Sequence, residues 1–159
     1  MSAETPYRQQ LSKLLDWEEA HVGLDKAVAD LPPDLRGTQP PGLPYSIWQL
    51  VEHIRIAQHD ILDFSVNANY KEMKWPDDYW PKSPAPPSAD AWDASLAQIR
   101  KDVKALQKLA ADGDVDPTAK IPHGSGQTIM REVALVADHN AYHIGQIVLV
   151  RRLLGAWKP

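Results

Sequence analysis

The stretch DHNAYHIGQI places two histidines, His139 and His143, four residues apart in a segment that otherwise has the pattern of a buried helix. A helix advances about 100° per residue, so side chains four positions apart lie on the same side. On an ideal wheel both imidazoles fall within roughly 40° of the apolar centre that Val136, Ile147 and Val150 define. The pair therefore faces inward, where an imidazole without a partner costs free energy.

A third histidine, His53, lies on the inward flank of another predicted helix, about 70° from the centre of its apolar stripe. His59 on the same helix points to the opposite face. One inward histidine is usually satisfied by a carbonyl or a hydroxyl group, whereas three that converge are harder to satisfy in this way. Neutral imidazoles are good ligands for divalent zinc, nickel, iron or manganese, and two at this spacing can share an ion. A third ligand from a facing helix gives a three-histidine site with open positions, which is typical of a catalytic metal centre.

Four further polar residues are weaker candidates for such a site. Glu18 and His21 lie toward the inward face of the first predicted helix. They either line the same pocket or are a boundary residue and a hydrogen-bonded core histidine. His123, in the loop IPHGSGQT, either reaches over the site or is solvated. Asp138 could accept the second N–H of a ligand histidine. The wheel turns Asp138 away from His139, however, and this favours an exposed position.

The fourteen prolines punctuate the chain and indicate where the helices that carry these residues lie. They cluster in residues 31–44 and 75–87, and a proline inside a helix costs about 3 kcal/mol. The capping-box spacing of Ser46 and Gln49 marks a second helix start. Ser88 or Asp90 can begin the third helix and Thr128 the fourth. The predicted helices lie near 6–30, 46–69, 89–111 and 128–155.

These four helices predict an all-α fold, a four-helix bundle formed by one domain over residues 1–159. Sustained period-two alternation is nearly absent, so strands are not expected. The long connection between the second and third helices permits a crossover.

The tryptophans offer two interpretations of that connection. Trp75, Trp80 and Trp92 flank the second proline-rich loop. They either cover a pocket mouth or an apolar substrate, or they pin the loop to the bundle or form a dimer contact; the pattern favours pinning or association. Trp17 and Trp48 are expected to pack inside the bundle.

The composition excludes several classes of function. The formal net charge is −4 and the pI about 5.8, so the chain carries no electrostatic signature of binding to nucleic acid or an anionic membrane. The chain has no cysteine, which excludes disulfides, thiolate metal sites and a cysteine nucleophile, and fits a reducing cytosol. The N-terminus has no apolar signal core, and no apolar run approaches the roughly 20 residues of a membrane span. The sequence therefore predicts a soluble cytoplasmic protein.

Two segments, SIWQLVEHI and TIMREVALVADHNAYHIGQIVLVRRLLGAW, resemble the DinB-like superfamily, which includes the YfiT-like metal-dependent hydrolases. The second segment is similar to the family's closing pattern, in which a histidine, three residues and a second histidine precede Gly-Gln and an apolar run ending in Leu-Gly. The resemblance covers nearly the whole chain. It implies metal ligands at His53, His139 and His143, the same three residues that the wheel turns inward. The chain departs from the pattern at Tyr142, where many members carry another histidine.

The resemblance also implies a four-helix bundle with a long crossover, assembly as a homodimer, and bound nickel or zinc, with iron or manganese as alternatives. Members that are better understood act on small molecules with low-molecular-weight thiols, as transferases or isomerases. The first hypothesis is therefore a metal-dependent enzyme, either a thiol-dependent S-transferase or isomerase or a hydrolase on a small molecule. Glu18, His21 and His123 are its candidates for a general base. The alternative is a non-catalytic dimeric bundle that binds a metal or a ligand.

Overall fold

A computed structural model of the chain describes residues 4–158, and these residues form a bundle of α-helices. Besides the helices there are two short 3₁₀ turns, Leu14–Asp16 and Pro33–Leu35. Within the described residues no strand forms, and the extended backbone pairs only in an isolated bridge between Lys120 and Thr128. The five helices are α1 (Glu4–Lys13), α2 (Leu24–Val28), α3 (Ile47–Val66), α4 (Ala89–Ala111) and α5 (Ile129–Leu153). The predicted all-α helical bundle is confirmed.

The three long helices begin where the sequence indicates. Ser46 caps α3 with a capping box, in which its Oγ accepts from the N–H of Gln49 at 3.2 Å and its own N–H donates to Gln49 Oε1 at 3.1 Å. Ser88 caps α4 by accepting from the N–H of Ala91, and Thr128 caps α5. Side-chain oxygens at these positions satisfy N–H groups that have no partner inside the helix.

The predicted first helix over residues 6–30 is wrong, because the chain leaves the helix after Lys13. Leu14–Asp16 tighten into a 3₁₀ turn, and Trp17 then adopts an extended backbone. Residues 16–21 are all exposed. Four of these six residues are polar or charged, so a helix there would bury little apolar surface, and burial of such surface is what stabilises most helices in proteins. Helix α2 restarts after Gly23, whose backbone is also extended.

The core consists of two apolar clusters with a polar layer between them along α5. The first cluster packs α2, α3, α4 and the C-terminal half of α5, including Ile144, Ile147 and Val150. The second packs around the N-terminal half of α5, including Val133 and Val136. Between the two clusters α5 carries the polar residues 138–140 and His143. This layer faces α3, which packs directly against α5.

Among residues 4–158, no helix has the length together with the apolar character that crossing a membrane requires.

Candidate metal centre

Three histidines meet in the polar layer between α3 and α5. His53 of α3 is almost completely buried, His143 of α5 is buried and His139 is half-buried. One ring nitrogen from each can be chosen so that all three lie within 4.8 Å of one another. The Nε2 atoms of His53 and His139 lie 3.0 Å apart. The structure therefore brings together the three histidines that the sequence selects.

Hydrogen bonds orient two of the three rings. Nδ1 of His53 donates to the backbone carbonyl of Tyr79 at 2.9 Å, and Nδ1 of His143 donates to Oε1 of Gln146 at 2.7 Å. A carbonyl oxygen can only accept, so the proton of each neutral ring lies on Nδ1. The lone pair of each Nε2 is then free to bind an ion. Partners of this kind typically fix the tautomer and direction of metal-ligating histidines.

Trp80 holds the ring of His53 from one side. The two rings stack with centroids 3.9 Å apart and planes 6° apart, and Trp80 also packs against the first core cluster. The connection between α3 and α4 is thereby fixed to the bundle, as one of the two interpretations predicts. Trp75 is 67% exposed, whereas Trp92 belongs to the core.

Burial keeps the three imidazoles neutral. It lowers the pKa of His139 to about 4, and the neighbouring charges of His143 and His53 add to the effect. Burial also lowers the pKa of His53, against the hydrogen bond to Tyr79, and the pKa of His143, against the hydrogen bond to Gln146. Near pH 7 all three rings are therefore uncharged, which is the form that binds metals.

This donor set fits a divalent metal of intermediate softness. Three neutral nitrogens suit zinc, nickel, iron or copper better than magnesium or calcium, which prefer oxygen ligands. Two nitrogens at 2.0–2.1 Å from one tetrahedral ion lie about 3.3 Å apart. The 3.0 Å between the Nε2 atoms of His53 and His139 is close to that separation. The cluster could hold a metal ion with the remaining coordination positions open.

The cluster borders a pocket of about 1040 Å³. All three histidines line it, together with aromatic side chains from the connection and from α5, including Trp75, Trp80 and Tyr142. This volume lies at the upper end of the range for small-molecule sites. The open side of the histidine cluster therefore faces a space large enough for an organic ligand.

A carboxylate with two phenol partners lies in the same pocket. Asp60 accepts from Tyr70 at 2.9 Å and from Tyr79 at 2.6 Å. Burial, followed by Asp60, raises the pKa of Tyr70 to about 12, and the same two causes raise the pKa of Tyr79. Tyr79 thus ties the loop to α3 twice, through its carbonyl to His53 and through its hydroxyl to Asp60.

The weaker candidates lie at two different cavities. Glu18 and His21 are both exposed and line another cavity of about 630 Å³, which reaches a different face of α5. The alternative that they share the histidine pocket is wrong, and His21 is exposed rather than part of the core, because the α-helix ends after Lys13. Trp17, expected inside the bundle, lies 38% exposed at the same cavity, whereas Trp48 is buried as predicted.

His123 and Asp138 border the histidine pocket. His123 is exposed, with Nε2 2.7 Å from the carbonyl of Phe64, so its loop is held near the C-terminal end of α3. Asp138 is exposed, as the wheel predicts. His59 is exposed as well, and its Nδ1 lies 3.0 Å from Asp102 Oδ2, away from the cluster.

Sequence reasoning missed the contributions of Asp60 and Tyr79. The backbone carbonyl that holds His53 carries no side-chain signal. The pairing of Asp60 with Tyr79 joins a helix to a loop 19 residues away, and a helical wheel does not place loop residues.

Comparison with known proteins agrees with this geometry at the level of the family. No curated protein and no solved structure matches the chain significantly. A family model, described as DinB superfamily, matches residues 16–147, which include all three histidines and most of the chain. The chain belongs to the DinB superfamily.

Proposed function

We propose that the chain is a metal-dependent enzyme acting on a small molecule, with His53, His139 and His143 as ligands of a divalent nickel or zinc ion. The observation that carries the proposal is the convergence of three neutral imidazoles, two buried and one half-buried, at the wall of a large pocket. Three protein ligands and an open side are the layout of catalytic rather than structural zinc sites.

A divalent ion in this site would supply Lewis-acid chemistry and lower the pKa of a thiol or water bound to it. The protein's own residues orient the donors. Tyr79 and Gln146 fix the proton on Nδ1 of two ligands, and Trp80 holds the ring of His53 in place. Preorganised ligands of this kind lose little entropy when an ion binds.

The substrate side of the proposal follows from composition and pocket shape. The chain contains no cysteine, so any thiol nucleophile has to come from a low-molecular-weight cosubstrate. The aromatic wall suits a ligand with an apolar part. The reaction classes supported by the family resemblance are thiol-dependent S-transfer or isomerisation, and hydrolysis. Of the three residues predicted as general bases, His123 borders this pocket and remains the candidate.

Metal analysis tests the ligand set. Protein purified without a histidine tag is analysed by inductively coupled plasma mass spectrometry, before and after exposure to nickel or zinc. We expect about one ion per chain for the wild type and a loss of binding in His139→Ala, because one of three donors is removed. The matched control is His59→Ala, since His59 is exposed and outside the cluster. If the wild type binds neither metal, or if His139→Ala binds as well as the wild type, the proposed site is wrong.

Thermal melting and activity assays then separate the enzyme from the alternative, a non-catalytic bundle with a structural or ligand-binding metal. Removal of a structural ion by a chelator lowers the melting temperature strongly, whereas removal of a catalytic ion changes it little beyond the binding linkage. Conjugation assays with several low-molecular-weight thiols, with and without metal, test for turnover. Metal-dependent conjugation supports the enzyme. A large loss of stability without any turnover supports the alternative.

We also propose that the chain forms a homodimer, with the exposed side chains Tyr142, Leu149 and Leu153 in the interface. These positions are seven and four residues apart and so share one side of α5. All three are exposed by 47–64%. Light scattering coupled to gel filtration gives the mass. A dimer that Leu149→Glu dissociates supports this interface, and a wild-type monomer contradicts it.

A further inference from the structure

Two adjacent residues of α5 each bury a polar atom that has no partner within the described residues. These atoms are Nδ1 of His139 and Oδ1 of Asn140. An unpaired buried polar atom destabilises the folded state, and such atoms in a native structure call for an explanation. Asn140 is itself more than nine-tenths buried.

The orientation of the Asn140 amide is fixed by a chain of hydrogen bonds from α4. Nε2 of Gln58 donates to the carbonyl of Ile99 at 2.8 Å, and this oxygen can only accept. Oε1 of Gln58 must then face Asn140, where it accepts from Nδ2 at 2.7 Å. Gln58 is completely buried, so water does not compete for its amide. It follows that Asn140 has an acceptor, Oδ1, left without a donor.

The unpaired atom of His139 requires an acceptor only when the ring binds an ion. Without an ion, two Nε2 atoms 3.0 Å apart need one proton between them, and since His53 has its proton on Nδ1, that proton lies on Nε2 of His139. A ring that binds a metal through Nε2 instead carries its proton on Nδ1. Loading of the site therefore moves the proton of His139 between its two nitrogens and creates a buried N–H donor.

We infer that Asn140 is a positioning residue that accepts the Nδ1–H of His139 when the site holds its metal, with Gln58 and the Ile99 carbonyl fixing the direction of the amide. This inference rests on the proposed function, since it concerns the same site. His139 then has an oxygen acceptor for its Nδ1–H, as His53 has in the carbonyl of Tyr79 and His143 has in the side chain of Gln146. All three ligands are then oriented through Nδ1.

Both sequence neighbours of His139 affect its pKa. Burial and the two neighbouring imidazoles lower the pKa of His139, whereas the amide of Asn140 and the charge of Asp138 act in the opposite direction. The hydrogen bond itself is not formed in this structure. Because Gln58 holds the amide of Asn140, a rotation of the His139 side chain has to accompany metal binding.

The test compares Asn140→Leu with Asn140→Asp. The zinc dissociation constant of each variant is measured by competition with a chromophoric chelator, and folding is checked by circular dichroism and thermal melting. Removal of a partner that orients a metal ligand typically weakens metal binding about 10–100-fold. We expect a loss of this size in Asn140→Leu and a clearly smaller loss in Asn140→Asp, since a carboxylate still accepts from Nδ1–H although it no longer donates to Gln58. Ser95→Ala, which disturbs another buried hydrogen bond between α3 and α4, is the matched control and retains wild-type affinity.

The tautomer of His139 gives a second test, because a residue that only supports the fold would not affect the Nδ1–H signal. Long-range proton–nitrogen spectra of protein labelled with ¹⁵N-histidine distinguish a protonated from an unprotonated Nδ1, and zinc is diamagnetic. We expect the proton of His139 to move from Nε2 to Nδ1 when zinc binds, and the Nδ1–H signal to shift in Asn140→Leu.

The outcomes separate this inference from the proposed function. If the wild type does not bind zinc, the proposed function fails. If the wild type binds zinc and folded Asn140→Leu binds it within about threefold of the same affinity, only the role of Asn140 is refuted. An unchanged tautomer of His139 on zinc binding refutes it as well.

Discussion

The histidine cluster makes the stability of the metal-free protein depend on pH, and His139 allows the size of this effect to be worked out. Its pKa in the folded protein is about 4, lowered mainly by burial and then by the neighbouring imidazoles, whereas the ordinary value is 6.5. As the pH falls below about 6.5, the unfolded chain takes up a proton on this residue that the folded protein does not. The folded state therefore loses stability until the pH reaches about 4, where the native ring is protonated too.

The magnitude follows from the two pKa values. One unit of pKa shift corresponds to about 1.36 kcal/mol. From pH 7 to pH 5, the shift of His139 without solvent screening would therefore lower the free energy of unfolding by about 2 kcal/mol. The ring is only half-buried, so solvent screening reduces this to about 1 kcal/mol. Burial lowers the pKa values of His53 and His143 in the same direction, and these add to the total loss.

The assay is urea unfolding of chelator-treated protein at about pH 7 and about pH 5. The wild type is compared with His139→Asn, and the difference between the two proteins isolates this residue from all other titrating groups. We expect His139→Asn to lose about 1 kcal/mol less stability than the wild type over this range. His21→Asn serves as the control, since His21 is exposed and far from the cluster along the chain. If the wild type and His139→Asn lose the same stability, the ring is not held neutral by burial and the electrostatic reasoning is refuted.

Three further predictions concern two side chains that hold the histidine rings and the effect of zinc on stability. Trp80→Ala removes the ring stacked on His53, and we expect a loss of about 1–3 kcal/mol in stability together with several-fold weaker zinc binding, measured by urea unfolding and chelator competition. Gln146→Leu removes the acceptor of His143 Nδ1–H and should weaken zinc binding about 10–100-fold, whereas Gln146→Glu retains it; equal affinities in the two variants would contradict the orienting role. Zinc at 100 times its dissociation constant should stabilise the wild type by about 2.7 kcal/mol at pH 7, and the absence of any shift in unfolding would show that the folded state has no preference for the ion.

Much of the site was accessible from the sequence because it is built on two regular helices. The wheel places His139 and His143 on the inner side of α5 and His53 on the inner flank of α3, and a regular helix leaves little freedom in those directions. The helix starts at Ser46 and Thr128 were equally accessible, since capping depends on a few adjacent residues.

The first predicted helix failed because tertiary packing decides helix formation where the local pattern is ambiguous. Residues 6–30 contain no proline after Pro6, and this absence predicts one continuous helix. Leu15 and Val28 are buried, but the intervening residues 16–21 are mostly polar and remain exposed. The same error gave Glu18 and His21 an inward direction, because it placed them on a helix that ends at Lys13.

Long-range hydrogen bonds of the loop were out of reach for a different reason. The carbonyl of Tyr79, which orients His53, exists in every residue and becomes specific only when the loop is folded against α3. The tryptophans did indicate that this loop is anchored, and Trp80 proves to be the anchor. A pattern of residue types can therefore predict that a loop packs, whereas the atom that completes the site depends on the path of its backbone.

Taken together, the energetics argue that the polar layer is maintained for binding rather than for folding. Buried neutral imidazoles lose stability as the pH falls, and the unpaired Nδ1 of His139 adds a further cost. Apolar side chains at the same positions would join the clusters that already pack along both halves of α5. Around the histidines, by contrast, Tyr79, Gln146 and Trp80 hold the rings in one arrangement, so that the Nε2 atoms meet at the pocket. A layer that costs stability and yet is ordered at each ring is what a preformed ion site requires, because ligands already in place bind an ion without further loss of conformational entropy.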